Sequence, residues 1–433
     1  MKKQFLILIA SLFFHQLALA AVQIQQWQTH SGASVYFVEN HDLPIVDVSV
    51  NFSAGSARDS LEKSGLAGVT RHLMTLGAAG LNDEAITNRF ADVGANLGGD
   101  FDADRASFKL RTLSSTREQT QAIDTFKKIL HQPDFSVAVL EREKARIIAG
   151  IQEAETQPET ISNKAFMSAL YGKHPYAIDD SGSVETVQKI TVEDMKLFYR
   201  QHYGAKGTVI AMIGDLSRAQ ASKIAEEIAA DLPNAAAPAS LPTVSYPQQA
   251  IEKKITHPAS QAHILLGYPG MKRIDPDYFP LMVGNYILGG GGFVSRLTEE
   301  VREKRGLVYS VYSYFMPMQE LGPFQLGLQT KKEQAKDALK LVREVVNNFI
   351  EKGVTEKELQ AAKANIIGGF PLRIDSNGKI LDYLSVIGFY KLPLTYLEDY
   401  NKQIATVTTT QIQDAFKRRL NNDKLITIIV GAE

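Results

Sequence analysis

The residues able to do metal chemistry are few and poorly spaced. The chain has nine histidines and no cysteine. Two imidazoles share a metal ion from one helix face when they sit four residues apart. No two histidines have that spacing, and the nearest pair, His257 and His263, suits no single helix face. The stretch Gly65 to Met74, "GLAGVTRHLM", offers His72 alone, directly after Arg71, whose guanidinium is permanently cationic. Without cysteine, disulfides, thiolate metal sites and lipid attachment at a thiol are excluded. A second candidate is the run Gly289, Gly290, Gly291, Gly292. Read as the opening of a helix, it invites comparison with phosphate-binding loops. It lacks the G-K-[ST] ending and no strand clearly precedes it, so it reads as a turn that lets a substrate peptide backbone approach. His174 in "KHPYA" precedes proline, favours an extended turn and reads as structural.

These residues must be positioned by a large chain. It has 433 residues, 44% hydrophobic and 22% charged, with a formal net charge of -1. That is ordinary globular composition with ample core, and no basic stripe or high pI points to nucleic acid. The N-terminus, "MKKQFLILIASLFFHQLALA", has Lys2 and Lys3, an apolar run from Phe5 to Phe14, and a small-x-small Ala18-Leu19-Ala20. It reads as a secretory signal peptide over residues 1–20, cut after Ala20. The run is too short for a comfortable membrane span.

The mature chain reads as two copies of one design. Residues 232–249, "LPNAAAPASLPTVSYPQQ", are a linker rich in Pro, Ala and Ser. The expected domains are 21–231 and 250–433. "GTVIAMIGD" from Gly207 matches "KLITIIVGA" from Lys424, an offset of 217. "ITVEDMKLFYRQ" from Ile190 matches "VTTTQIQDAFKR" from Val407 at the same offset. "LEREKARIIAG" from Leu140 matches "LQAAKANIIGG" from Leu359, offset 219. Three pairs in one order indicate internal duplication. Strands are expected at 34–39, 45–53, 106–112, 262–268, 308–315 and 323–329. Helices are expected near 64–76, 82–93, 116–131, 137–157, 192–202, 332–352 and 356–372. Hairpin-like strands with long helices predict an α+β fold, two homologous α/β sandwiches with a mostly antiparallel sheet and helices on one face.

The stretch at Gly65, the following "FADVGANLGGDFDADRASFKLRT" and the later "YILGGGGFVSRLTEEVREKRGLVYSVYSYF" resemble the pitrilysin/insulinase (inverzincin) family, which includes the mitochondrial processing peptidases. The resemblance implies a clam-like chamber, of which this chain forms half. The family signature is H-x-x-E-H, two zinc ligands and a general base on one helix. Carried over, the first His falls on Gly68, the base on Arg71 and the second His on His72. The third ligand, a Glu on a later helix, falls on Gly150, with Glu153 and Glu155 close by. The chain thus reads as zinc-free, with His72 a packed or hydrogen-bonded helix residue.

The second half keeps what the first has lost. In the family, an Arg and a Tyr at the spacing of Arg302 and Tyr309 face the zinc across the chamber. Both are donors that can hold a scissile carbonyl and stabilise its oxyanion. The resemblance therefore implies an exported subunit, inactive alone, of a heterodimeric zinc metallopeptidase. Its homologous partner would carry H-x-x-E-H and the zinc, and the substrate would be a peptide or unfolded protein. Signal peptide and resemblance together point to the periplasm or cell envelope. The alternatives are a catalytically inactive peptide-binding or scaffold protein of the envelope and, less in keeping with the histidines, a self-sufficient peptidase with an unusual metal site.

Overall fold

The computed structural model describes residues 23–432; the segment read as a signal peptide lies outside them. The first half begins with β1 (Gln25–Gln28), β2 (Ser34–Glu39), β3 (Ile45–Phe52) and α1 (Leu66–Met74). A small hairpin of β4 (Gly77–Ala78) and β5 (Leu81–Asn82) leads to α2 (Asp83–Ala91), β6 (Asn96–Gly98) and β7 (Ala106–Leu113). Then come α3 (Thr116–His131), α4 (Val137–Ala154), α5 (Pro158–Tyr171), α6 (Val184–Gln188), α7 (Val192–His202), β8 (Val209–Gly214) and α8 (Arg218–Ala230). Residues 232–250 form neither helix nor strand. The second half repeats the plan with β9 (Ile251–Ile255), β10 (Gln261–Met271), α9 (Tyr278–Asn285), β11 (Val308–Phe315) and β12 (Gly322–Lys331). It closes with α10 (Ala335–Lys352), α11 (Glu356–Gly369), α12 (Asn377–Phe389), α13 (Tyr396–Thr406), α14 (Thr409–Arg419) and β13 (Ile426–Val430).

The sheets are mostly antiparallel, as expected. Their orders are β1-β2-β8-β3-β7-β6 and β11-β12-β10-β13-β9. Only β2 with β8 and β13 with β9 run parallel. Local chemistry explains the helices. In α3, Ala122, Ile123, Phe126, Ile129 and Leu130 recur at helical spacing and are buried against the first sheet. Thr191 and Thr408 cap α7 and α14 with reciprocal side-chain bonds to Asp194 and Gln411. The expected helix over 137–157 stops at Ala154 because Pro158, which lacks an N–H, begins the next one.

A feature of the sheets shows what the alternation leaves open. β3 reads "IVDVSVNF", apolar on one side and polar on the other, which suggests a wet outer face. Yet Asp47, Ser49 and Asn51 are as buried as Val46, Val48 and Val50. The helix covering the polar side is α12, from the second half. Its Ile380, Leu381 and Leu384 pack on Val38, Ala211 and Ile213. The exchange is reciprocal. From the first half, α5 lies on the second sheet, with Phe166, Leu170 and Tyr171 against Leu265, Ile426, Ile428 and Val430. The two helices begin at residues 158 and 377, an offset of 219, so they are equivalent members of the repeat. Neither is among the helices expected from the sequence. Each half therefore has its own helices on one face and a borrowed helix on the other.

A buried carboxylate sits on the same seam. Asp104 Oδ1 accepts from the Tyr176 hydroxyl at 2.6 Å. Its Oδ2 accepts from the Gln319 amide at 2.7 Å and the Tyr390 hydroxyl at 3.0 Å. Burial pushes its pKa up against the pull of these three bonds. Tyr171 adds a bond to Leu321 O at 3.0 Å.

The borrowed helices are close-fitting. A Cβ on Gly388 in α12 would lie 2.5 Å from Val209 Cγ1 and 2.8 Å from the Tyr36 ring. Gly388→Ala gains up to about 1 kcal/mol of helix propensity, but overpacking costs about 1–3 kcal/mol. The variant is expected to melt at a lower temperature, measured by circular dichroism; a raised melting point would show that α12 does not seat on the first sheet this way.

Candidate functional site

Helix α1 carries the positions that matter. Gly65 at its N-cap has a φ of 91°, open to glycine, and its amide and that of Ala67 each donate to the Asp59 carboxyl at 2.9 Å. Ala67, Val69, Thr70, Leu73 and Met74 face the core. Gly68, Arg71 and His72 share another face, because residues three and four apart lie one above the other.

Arg71 is committed to the protein. Its Nε and Nη2 both donate to the Ser107 carbonyl, at 3.1 and 3.0 Å. Its guanidinium lies 5.3 Å from the centre of the Phe108 ring. Burial lowers its pKa, though a guanidinium stays charged at any physiological pH. His72 Nε2 meets Glu143 Oε2 of α4 at 3.0 Å. Glu143 is buried and also accepts from Arg142 Nε at 2.8 Å and Arg146 Nη1 at 3.4 Å. Burial pushes its carboxyl up, while His72, Arg142 and Arg146 pull it down; the net position is below the usual glutamate range. The sequence leads one to expect His72 as a hydrogen-bonded helix residue, and it is one. Its partner is not among the residues singled out from the sequence. The signal is present all the same: Glu143 occupies the stripe Leu140, Glu143, Ile147, Ile151, where an acid has no reason to be unless something pairs with it.

Gly150 lies seven residues, two turns, beyond Glu143 on the same side of α4. A Cβ there would meet nothing within 4 Å. A Cβ at Gly68 would meet Asp180 O at 3.3 Å and the Phe101 ring at 3.4 Å. The zinc ion implied by the fold does not fit these residues. The face offers one imidazole, whose Nε2 is already bonded to Glu143, beside a fixed cation, where a zinc site takes three donors. Among the described residues no group of three or more His, Asp or Glu is placed to hold a metal ion.

The second group of residues stands at the sheet edge. Arg302 lies in the π-helical turn Thr298–Glu303 and Tyr309 in β11, an edge strand. Gly306, with a φ of 60°, makes the turn between them. The Arg302 guanidinium lies 5.8 Å from the centre of the Tyr309 ring and 5.1 Å from that of Phe293. Tyr309 is 73% exposed and Phe293 72%. The structure thus brings Arg302 and Tyr309 together and adds Phe293, which sequence reasoning passes over inside the glycine-rich string. That string needs a correction. The run Gly289–Gly292 does not open a long helix: Gly289 and Gly290 end the helical segment from Tyr278, and Gly292 begins only the single 3-10 turn Gly292–Val294. A Cβ on Gly289 would lie 2.4 Å from Ser313 Oγ and 2.7 Å from Leu297 Cδ1. The backbone that approaches Gly289 is the chain's own strand β11.

The Glu143 cluster has a pH signature. A carboxyl held below its ordinary range stabilises the fold above that range, about pH 4.3, and loses its contribution as pH falls through the folded value. Glu143→Gln is therefore expected to melt below wild type at neutral pH, and the two curves to converge in acid. A gap that stays constant down to about pH 3, below the ordinary carboxylate range, would disprove the ionic role.

Residues 34–179 match Insulinase (Peptidase family M16), and residues 189–366 match the Peptidase M16 inactive domain. A crystal structure of a peptidase M16 inactive domain from Pseudomonas fluorescens is 38% identical, with a TM-score of 0.91, covering 95% of this chain and 98% of that one. The non-peptidase homolog YmxG of Helicobacter pylori is 27% identical over 99% of this chain and 98% of its own length. An uncharacterized zinc protease YmxG of Bacillus subtilis is 23% identical over 82% of this chain and 85% of its own. With duplicated α/β sandwiches and a ligand face reduced to His72, the chain belongs to the M16 peptidase family, as an inactive member that lacks the zinc site.

Proposed function

We propose that this chain is the exported, non-zinc subunit of a heterodimeric M16 metallopeptidase. The observation that carries the reading is the selective loss: positions 68, 71 and 150 have lost metal donors, while Arg302 and Tyr309 stay together and open. In this reading the chain forms half of a clam-like chamber. The partner, a homologue with H-x-x-E-H, binds zinc, which supplies an activated water when present. This chain orients the substrate. The Arg302 guanidinium and the Tyr309 hydroxyl donate to the scissile carbonyl and to the oxyanion it becomes. Phe293 packs by the same guanidinium and gives an exposed apolar contact for an extended peptide. The glycine run 289–292 keeps that side of the chamber free of bulk. Residues 1–20 direct the chain to the periplasm or envelope. No described helix is long and apolar enough to cross a membrane.

A second reading is favoured by the relative named a non-peptidase homolog: a chamber that binds peptides or supports an envelope assembly without hydrolysis. One experiment separates the two. The chain is purified alone and together with a zinc-bearing M16 homologue from the same cell, and zinc content and peptide cleavage are measured. Alone it is expected to hold no stoichiometric zinc and to cleave nothing; the pair is expected to cleave. Arg302→Ala in the pair should lower turnover by about 10²-fold, the scale of losing one oxyanion donor, and Tyr309→Phe should do likewise. Peptide binding that survives both changes, with no cleavage in any pairing, would favour the scaffold. Stoichiometric zinc with hydrolysis by the chain alone would reject the division of labour.

A further inference from the structure

The face without metal donors carries three arginines, Arg71, Arg142 and Arg146, the first of them without a carboxylate partner among the described residues. Among the described residues Arg71 has no carboxylate partner; Nε and Nη2 both bond Ser107 O, and Nη1 has no protein acceptor. Arg146 is 74% exposed and reaches only Glu143, at 3.4 Å. Arg142 is divided between Glu143 and Asp83. His72 takes the other oxygen of Glu143. Two guanidinium groups and an imidazole thus share Glu143 and Asp83, and Arg71 pairs with neither. Two further acids lie close. Asp100 shares Lys109, at 2.7 Å, with Asp382. Asp180 meets Gly68 through its carbonyl, and burial pushes its carboxyl towards the neutral form. The positions beside these cations, Gly68 and Gly150, have no side chains, and a Cβ on Gly150 has open space around it.

We propose that this face binds a peptide carboxylate, with Arg71 as its half-buried anchor and Arg146 at its rim. A guanidinium presents a planar fork of N–H donors that matches a carboxylate. The attraction is stronger where water is partly excluded, as it is around Arg71. A carboxylate is also small and flat enough for the open space beside Gly150. The carboxylate belongs to an acidic side chain or to the free C-terminus of an extended peptide. The inference rests on the proposed function only in taking a peptide as the carrier. It gives the former zinc side of this subunit a selective role, that of favouring acidic or C-terminal segments of the substrate.

The test is calorimetric titration of the isolated chain with three extended decapeptides of one sequence. One has a central Glu and an amidated C-terminus, one has Gln and an amidated C-terminus, and one has Gln and a free C-terminus. A carboxylate peptide is expected to bind about tenfold more tightly than the neutral one, the scale of one charge-assisted bond. Which of the two gains identifies the source. Arg71→Gln and Arg146→Gln should each reduce the preference. Arg71 also ties α1 to β7 and Arg146 pairs with Glu143, so Gly150→Glu, at an open position, serves as the variant that leaves the fold alone. Gly150→Glu places a resident carboxylate one turn after Arg146 and should compete with the peptide. Equal binding of all three peptides, no binding of either acidic peptide, or a preference that survives both arginine changes would overturn the proposal. Cleavage by the assembled pair plays no part in this assay, so its failure there leaves this result standing, and the reverse holds.

Discussion

The structure depends on an exchange of helices between its two halves. Each sheet must bury both faces, and each half supplies helices for only one. The second face of the first sheet is closed by Asn377–Phe389, and that of the second by Pro158–Tyr171. Polar residues then become tolerable inside: Asp47, Ser49 and Asn51 are buried beneath the borrowed helix, with Asp47 paired to Arg111 at 2.7 Å and Asn51 bonded to Ser49. Asp104 fixes the same seam with hydrogen bonds from a Tyr of each half and one amide. The two copies therefore act as one body, and the orientation of Arg302 relative to the former metal face follows from helix packing rather than from the chain between the halves.

Within that frame the loss of zinc is not a simple vacancy. Arg71 replaces metal coordination with a two-pronged bond to Ser107 O, tying α1 to β7. His72 and Glu143 join α1 to α4, which are the two helices a zinc ion would have bridged. A hydrogen bond to a buried carboxylate thus does the holding that a metal does elsewhere. The positions that such bonds do not use, 68 and 150, have become glycines.

Much of the site is legible in one dimension. The order Gly68, Arg71, His72 reads directly as a helix face without a zinc set, because ligand spacing is a property of the helix alone. Arg302 and Tyr309 are equally legible, since a helix end, a Gly306 turn and a strand start place them together locally. Glu143 escapes such reading because its partner is 71 residues away, and no local rule names it. Phe293 escapes it because contact with Arg302 depends on how the glycine-rich segment folds back. The glycine run reads falsely as a helix start because the turn from Tyr278 winds through it before β11 constrains Gly289.

Residue order alone carries the repeat, most of the strands and long helices, and a helix face without a zinc donor set. Periodicity, capping and ligand spacing are short-range, and they act before the chain has a shape. Which helix covers which sheet face, which carboxylate answers His72 and what surrounds Arg71 emerge when the chain folds. Those are contacts between residues tens to hundreds apart, chosen by mutual fit and by the need to pair every buried charge.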